Sequence, residues 1–190
     1  MAVAKFASKS DTRPELAGVF ITKDKVVATD GFRLVEVSVP KTANVAEYPK
    51  TNGKSAMQGV KPFIVPAKEF GKIKLPNNKN VPILNNLAIS YADNQRVDFI
   101  TTDLENVQVK TLKRIDAKYP DYEQIFPKGE VKAEVSVNGE YLAEVCETLA
   151  ELSNLKDIKI KFYGDNMPLV IEAGNTEIQS ARAMIMPLRK

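Results

Sequence analysis

A chain of 190 residues is long enough to bury a sizeable core without covalent staples, and its single cysteine, Cys146, cannot close an internal disulfide, which suits a reducing, cytoplasmic setting. Lysine and arginine exceed the acids by three, a balance that permits a nucleic-acid partner without demanding one. The sequence has no histidine and no GxGxxG or GxxxxGK[ST] loop, and no apolar run approaches a membrane span. It therefore reads as a binding protein with no cofactor and no metal, not an enzyme.

In chain order, "MAVAKFASK" (1–9) reads as a helix, with Lys5 and Lys9 one turn apart. "TRPELAGVFITKDKVVATDGFRLVEVSV" (12–39) reads as three strands joined by turns, with Asp30-Gly31 at the second turn. "FIVPAKEFGKIKLP" (63–76) is a strand and then a helix carrying Lys68 and Lys72, with Lys74 nearby. Gly71 keeps that helix short, and Pro76 stops it.

"NVPILNNLAISYADNQRVDFITTDLENVQVKTL" (80–112) repeats the first strand set. Pro14, Leu16 and Ile21 match Pro82, Leu84 and Ile89 at a spacing of 68, and Thr29-Asp30 matches Thr102-Asp103 at 73. The second copy thus carries five extra residues in its first hairpin. In both turns the aspartate is expected to hydrogen-bond its own backbone.

"KYPDYEQIFPK" (118–128) reads as a linker, and "AEVSV" (133–137) as a strand. Asn138 is an N-cap for "GEYLAEVCETLAEL", which sets Leu142, Val145, Cys146, Leu149 and Leu152 on one stripe. Glu140, Glu144, Glu147 and Glu151 fall on the opposite face. Strands "DIKIKFY", "PLVIEA" and "EIQSARAMIMPL" follow, the last placing Met184, Met186 and Leu188 on one face by alternation. On spacing alone those three are core, and Phe32-Arg33 is a hairpin tip with one packed ring and one solvated charge.

The expected fold class is α+β: three repeated strand–helix–strand units with antiparallel sheets and helices on one face. The first unit lacks its opening strand.

"TRPELAGVF", "VATDGFRL", "FIVPAKEF", "YPDYEQIFP" and "MIMPLR", in this order, resemble the bacterial sliding clamp, the beta subunit of DNA polymerase III. The resemblance implies that residues 1–127 are a clamp-like domain similar to the family's middle domain. Residues 128–190 are then a half-domain similar to the end of the last. "VPILNNLAIS" and "TTDLENVQVK" also resemble the first clamp domain.

The family implies a processivity factor whose apolar pocket takes a short peptide motif of DNA polymerase and clamp-loader-type proteins. Carried over, the pocket uses Leu16, Thr29, Gly31, Phe32, Arg33, Leu34, Pro120, Ile125, Met184, Met186, Pro187, Leu188 and Arg189. Phe32 replaces the histidine usual in "TDGHRL". The resemblance also implies non-specific contact of Lys5, Lys9, Lys68, Lys72 and Lys74 with double-stranded DNA, inside a ring of several copies. The alternative is a clamp-like peptide-binding module, or a regulator of the clamp, that does not encircle DNA.

Overall fold

The computed structural model describes residues 2–10, 12–39, 61–75, 86–153, 157–164, 166–175 and 179–188. The chain divides into two compact units, residues 1–124 and 125–190.

Unit 1 holds two antiparallel sheets. β1 (Gly18–Ile21), β2 (Lys25–Thr29) and β3 (Leu34–Ser38) form a meander, and β4 (Phe63–Pro66) adds to its open edge, giving the order β3-β2-β1-β4. β4 pairs along all of β1, from Gly18 opposite Pro66 to Ile21 opposite Phe63. Gly18 is required there, because a side chain would collide with Ile64 Cγ2. The second sheet is β5 (Ala88–Tyr91), β6 (Arg96–Thr102) and β7 (Val107–Lys113). Counted from the matched Ile21 and Ile89, the five additional residues carry the first strand two residues further, lengthen the turn by one and make the second strand two residues longer.

One core joins the two sheets: Val19, Ile21, Phe63 and Val65 from the first, Val97, Phe99 and Leu112 from the second. Phe99 meets Phe70 and Phe63 edge-on at 5.4 and 6.5 Å. Val97, Phe99 and Thr101 are buried together as their alternation predicts, and Ile100 on the opposite face is buried with Ala88.

Two helices are shorter than the sequence suggests. Residues Ala2–Phe6 form a 3-10 helix, and α1 is a single turn, Ala67–Phe70, ending at Gly71. At the first, the Ser8 amide leaves the helical path to bond the Leu16 carbonyl, so Lys9 lies outside the helix. Lys72 lies beyond α1, in the turn where Gly71 ends it. Neither helix therefore presents two lysines on one face.

Unit 2 is a three-stranded sheet under one helix. α2 (Gly139–Ser153) packs on β8 (Ile158–Lys161), β9 (Leu169–Asn175) and β10 (Gln179–Ile185), in the order β10-β9-β8. Asn138 caps α2 as expected: its Oδ1 accepts from the Glu140 and Tyr141 amides at 2.8 and 3.4 Å. Leu149, Leu169, Ile171 and Ile185 are buried, with Leu142, Val145 and Cys146 packed beside them. The four glutamates face water.

Residues 133–137 do not form the expected strand. Val135 and Val137 pack on the core, but the one backbone bond of the segment to another described residue runs from the Leu188 amide to the Ser136 carbonyl, 2.7 Å. β10 ends at Ile185, so Met186 and Leu188 follow the strand instead of continuing it. Pro187, with no N–H, cannot extend the ladder. Pro76, Pro82, Leu84, Arg189 and the side chain of Leu152 lie outside the described residues.

Candidate functional site

The turn between β2 and β3 is built from inside. The Thr29 hydroxyl donates to the Arg33 carbonyl at 2.8 Å and accepts from the Gly31 amide at 3.0 Å. Asp30 Oδ1 accepts from the Phe32 and Arg33 amides, each at 3.0 Å. The Phe32 amide, then the Arg33 amide and guanidinium, hold the Asp30 carboxyl below its ordinary range. Gly31 sits at φ 93°, where a side chain is disfavoured.

The same turn recurs at Thr102–Val107. The Thr102 hydroxyl donates to the Asn106 carbonyl, and Asp103 Oδ1 accepts from the Glu105 and Asn106 amides. Those bonds, the Asn106 amide first, likewise depress Asp103. Leu104 takes the place of Gly31 at φ 80°.

This frame fixes the candidate residues of unit 1. Thr29 is buried, with its hydroxyl committed to the turn. Phe32 stands at the tip with its ring 99% exposed. Leu34 packs partly against Val27, Ile64, Tyr119 and Tyr122.

Arg33 is engaged within the protein. Nε donates to Asp30 Oδ2 at 3.0 Å, Nη2 to the Lys5 carbonyl at 3.2 Å, and the guanidinium lies 5.1 Å from the Phe6 ring centroid. It ties the turn to the N-terminal 3-10 helix. Sequence reasoning missed Phe6, because a contact across 27 positions leaves no local pattern. Leu16 is buried ahead of β1, and Gly31 is exposed.

The segment read as a linker is anchored on unit 1. Tyr119 stacks on Phe20 at 4.6 Å and 6°, and meets Tyr122 edge-on. Burial pushes both hydroxyls up to about 12, Tyr122 with help from its hydrogen bond to Glu36. The Thr29 backbone faces the Tyr119 hydroxyl without forming a well-aligned hydrogen bond, so that oxygen is buried and unsatisfied. Lys25 bridges Glu36 and Glu123 at 3.1 and 3.2 Å. Pro120 is exposed on this platform and lines a hollow with Phe20, Thr22 and Tyr119.

In unit 2, Met184, Met186 and Leu188 are 65%, 59% and 56% exposed, with Pro187 partly buried between them. They are surface, although alternation alone assigns them to a core. The covered face of β10 is carried by Ile185 with Ala181 and Ala183. Ile125 is exposed.

Of the lysines, Lys5, Lys9 and Lys68 line one concavity of about 540 Å³, with Pro14, Pro66 and Ile115 in its wall. Lys72 is paired to Glu69 at 2.6 Å, which lowers the Glu69 carboxyl, and Lys74 is exposed away from that wall.

The sequence model for the DNA polymerase III beta subunit, N-terminal domain, matches residues 67–183. That span runs from α1 to near the end of β10. The likeness to the middle and last domains rests on the five sequence segments alone. No curated protein matches the chain significantly.

Among solved structures the chain is similar to the DNA polymerase sliding clamp of Pseudomonas aeruginosa (23% identity, TM-score 0.66). It is also similar to the sliding clamp of Bacillus subtilis (18%, 0.66) and to the beta subunit of Streptococcus pyogenes DNA polymerase (16%, 0.66). Each match covers 97–98% of this chain and 45–46% of the other, so the chain spans about half the length of these clamps. At these identities the likeness shows the fold. No helix among the described residues is long and apolar enough to cross a membrane.

Proposed function

The chain belongs to the DNA polymerase III beta-subunit family, and from that premise we propose that it is a sliding-clamp-type processivity factor. It works by binding, not catalysis, in the cytoplasm. Its ligands are short peptide motifs of DNA polymerase and clamp-loader-type proteins. Residues 1–127 act as the clamp-like domain and 128–190 as a clamp half-domain.

One observation carries the peptide reading. Met184, on the uncovered face of β10, and Met186 and Leu188, just past its end, are large apolar side chains left in water. Flexible thioethers suit a surface that receives varied partners. On unit 1, Phe32, a fully exposed ring on its turn, with the partly buried Leu34 and the exposed Pro120, offers further apolar surface to a peptide. Arg33, being committed to Asp30 and Lys5, orders the turn in the free protein and offers the ligand its remaining donors.

Double-stranded DNA is the second partner, held through phosphates without base reading by Lys5, Lys9 and Lys68, with Lys72 and Lys74 contributing charge. Enclosing a duplex requires several copies of the chain. A second reading, a module that binds the peptide without encircling DNA, is favoured by α2. Its Glu140, Glu144, Glu147 and Glu151 form a solvent face that repels phosphate.

A fluorescein-labelled clamp-binding peptide, followed by anisotropy, tests the common part. Binding at micromolar concentration is expected, and Met186→Asp should abolish it; no binding by the native chain overturns both readings. Retention on nicked circular plasmid, lost on linearisation, then supports encirclement. Peptide binding with no such retention supports the second reading.

A further inference from the structure

α2 carries a face that no described residue answers. Its fifteen residues include no lysine or arginine, and its last turn holds no basic side chain. Glu140, Glu144, Glu147 and Glu151 follow at steps of four, three and four, so they form one stripe about 16 Å long. Glutamates at these spacings repel one another, and Glu147 and Glu151 stand toward the end of the helix that bears negative partial charge. All four face water, and none is in an ion pair among the described residues. Tyr141, three residues before Glu144, is 59% exposed. The free chain therefore keeps this face at a cost to the helix, and a cationic partner would remove that cost.

The same chain carries a surface of the opposite kind. The concavity of about 540 Å³ in unit 1 has Lys5, Lys9 and Lys68 in its wall, all exposed and in no ion pair among the described residues. The one acid among its lining residues, Glu69, is held by Lys72 at 2.6 Å and Lys110 at 3.4 Å, so it does not offset the three lysines. Ala4, Ala7 and Ala67 put small side chains in the hollow, which lets another helix come close. We propose that α2 of one copy docks across this concavity on a second copy, laying its acidic stripe against Lys5, Lys9 and Lys68. The hollow takes a side chain such as Tyr141 but not a whole helix, so the helix lies over its mouth. Charge complementarity selects the occupant, and a second copy supplies the acidic face in equal number to the basic one. The two surfaces differ, so the contact is heterologous and each copy can give its helix to one neighbour and receive one from another. The inference is independent of the peptide and DNA readings, although it places a competitor on lysines that the latter assigns to phosphate.

The test is sedimentation velocity of the full chain, without DNA or peptide, over a wide range of concentration. The mass should rise above monomer at about 50 mM salt and return to monomer at about 0.5 M, because screening weakens exposed ion pairs. Glu144→Lys with Glu147→Lys, and separately Lys5→Glu with Lys68→Glu, should each weaken association at least tenfold. Mixed in equal amounts, the two variants should associate again, since each then meets its opposite. All four side chains are exposed, so the variants should fold, and thermal melts check this. Lys74→Glu with Lys128→Glu makes the same change of charge away from the concavity and should leave association unchanged. A native chain that stays monomeric throughout overturns the proposal, as does undiminished association in Lys5→Glu with Lys68→Glu. Equal loss in the Lys74 and Lys128 control, or no association on mixing, also overturns it, because either reduces the effect to net charge.

Discussion

Replacing Phe32 by alanine separates binding from stability. The ring is 99% exposed, and the residue's one described tie is its amide to Asp30 Oδ1 at 3.0 Å, which alanine keeps. Removing a ring that touches nothing should move folding stability by less than about 0.5 kcal/mol. Covering the same ring in a complex is worth roughly 1.5–3 kcal/mol, which is a ten- to hundredfold loss of affinity on truncation. Anisotropy with a labelled clamp-binding peptide measures the affinity, and urea unfolding of the same samples measures the stability. Phe32→Tyr should stay near the parent in both. Unchanged peptide affinity in Phe32→Ala would remove the ring from the binding surface. A lowered urea midpoint would show that the ring packs against the protein in solution.

The twin turns predict opposite effects of glycine. Leu104→Gly should raise unit 1 stability by about 0.5–1 kcal/mol, because Leu104 pays for φ 80°. Gly31→Ala should lower it by a similar amount, with no clash to add, since a Cβ there meets nothing within 4 Å; urea midpoints at constant slope check both. Asn138→Ala should cost about 1 kcal/mol through the lost cap of α2, and Asn138→Asp should recover it, read from the melt of α2 ellipticity. Tyr119 and Tyr122 favour the protonated form on folding, since both lie near 12 against about 10 in an unfolded chain. Their contribution is complete below pH 10 and drains as pH rises from 10 to 12. Tyr119→Phe should flatten that fall and leave neutral-pH stability unharmed, the hydroxyl having no well-formed partner to lose.

The strands and α2 were legible because their information is local. β6 alternates, α2 carries an apolar stripe behind an Asn cap, and Thr-Asp announces both turns. The lysine faces were not legible. "AVAKFASK" has helical composition, yet the Ser8 amide is claimed by Leu16, and a tertiary bond overrides propensity. Arg33 shows the same limit, since its partners Lys5 and Phe6 are distant in sequence. Residues 133–137 have strand composition, but such a segment becomes a strand only where a neighbour offers a ladder, and among the described residues Ser136 alone finds a backbone partner. Met184 and Met186 are exposed because α2 covers only the face of β10 that carries Ala181, Ala183 and Ile185, and Met186 lies past the end of the strand.

The Thr-Asp turns make the hydroxyl and carboxylate bonds to their own backbone within five consecutive residues. What each displays at its crest is thereby released from folding: phenylalanine in one copy, glutamate in the other, on the same scaffold. Such a corner can exchange its ornament, and with it the company it keeps, without renegotiating the architecture beneath.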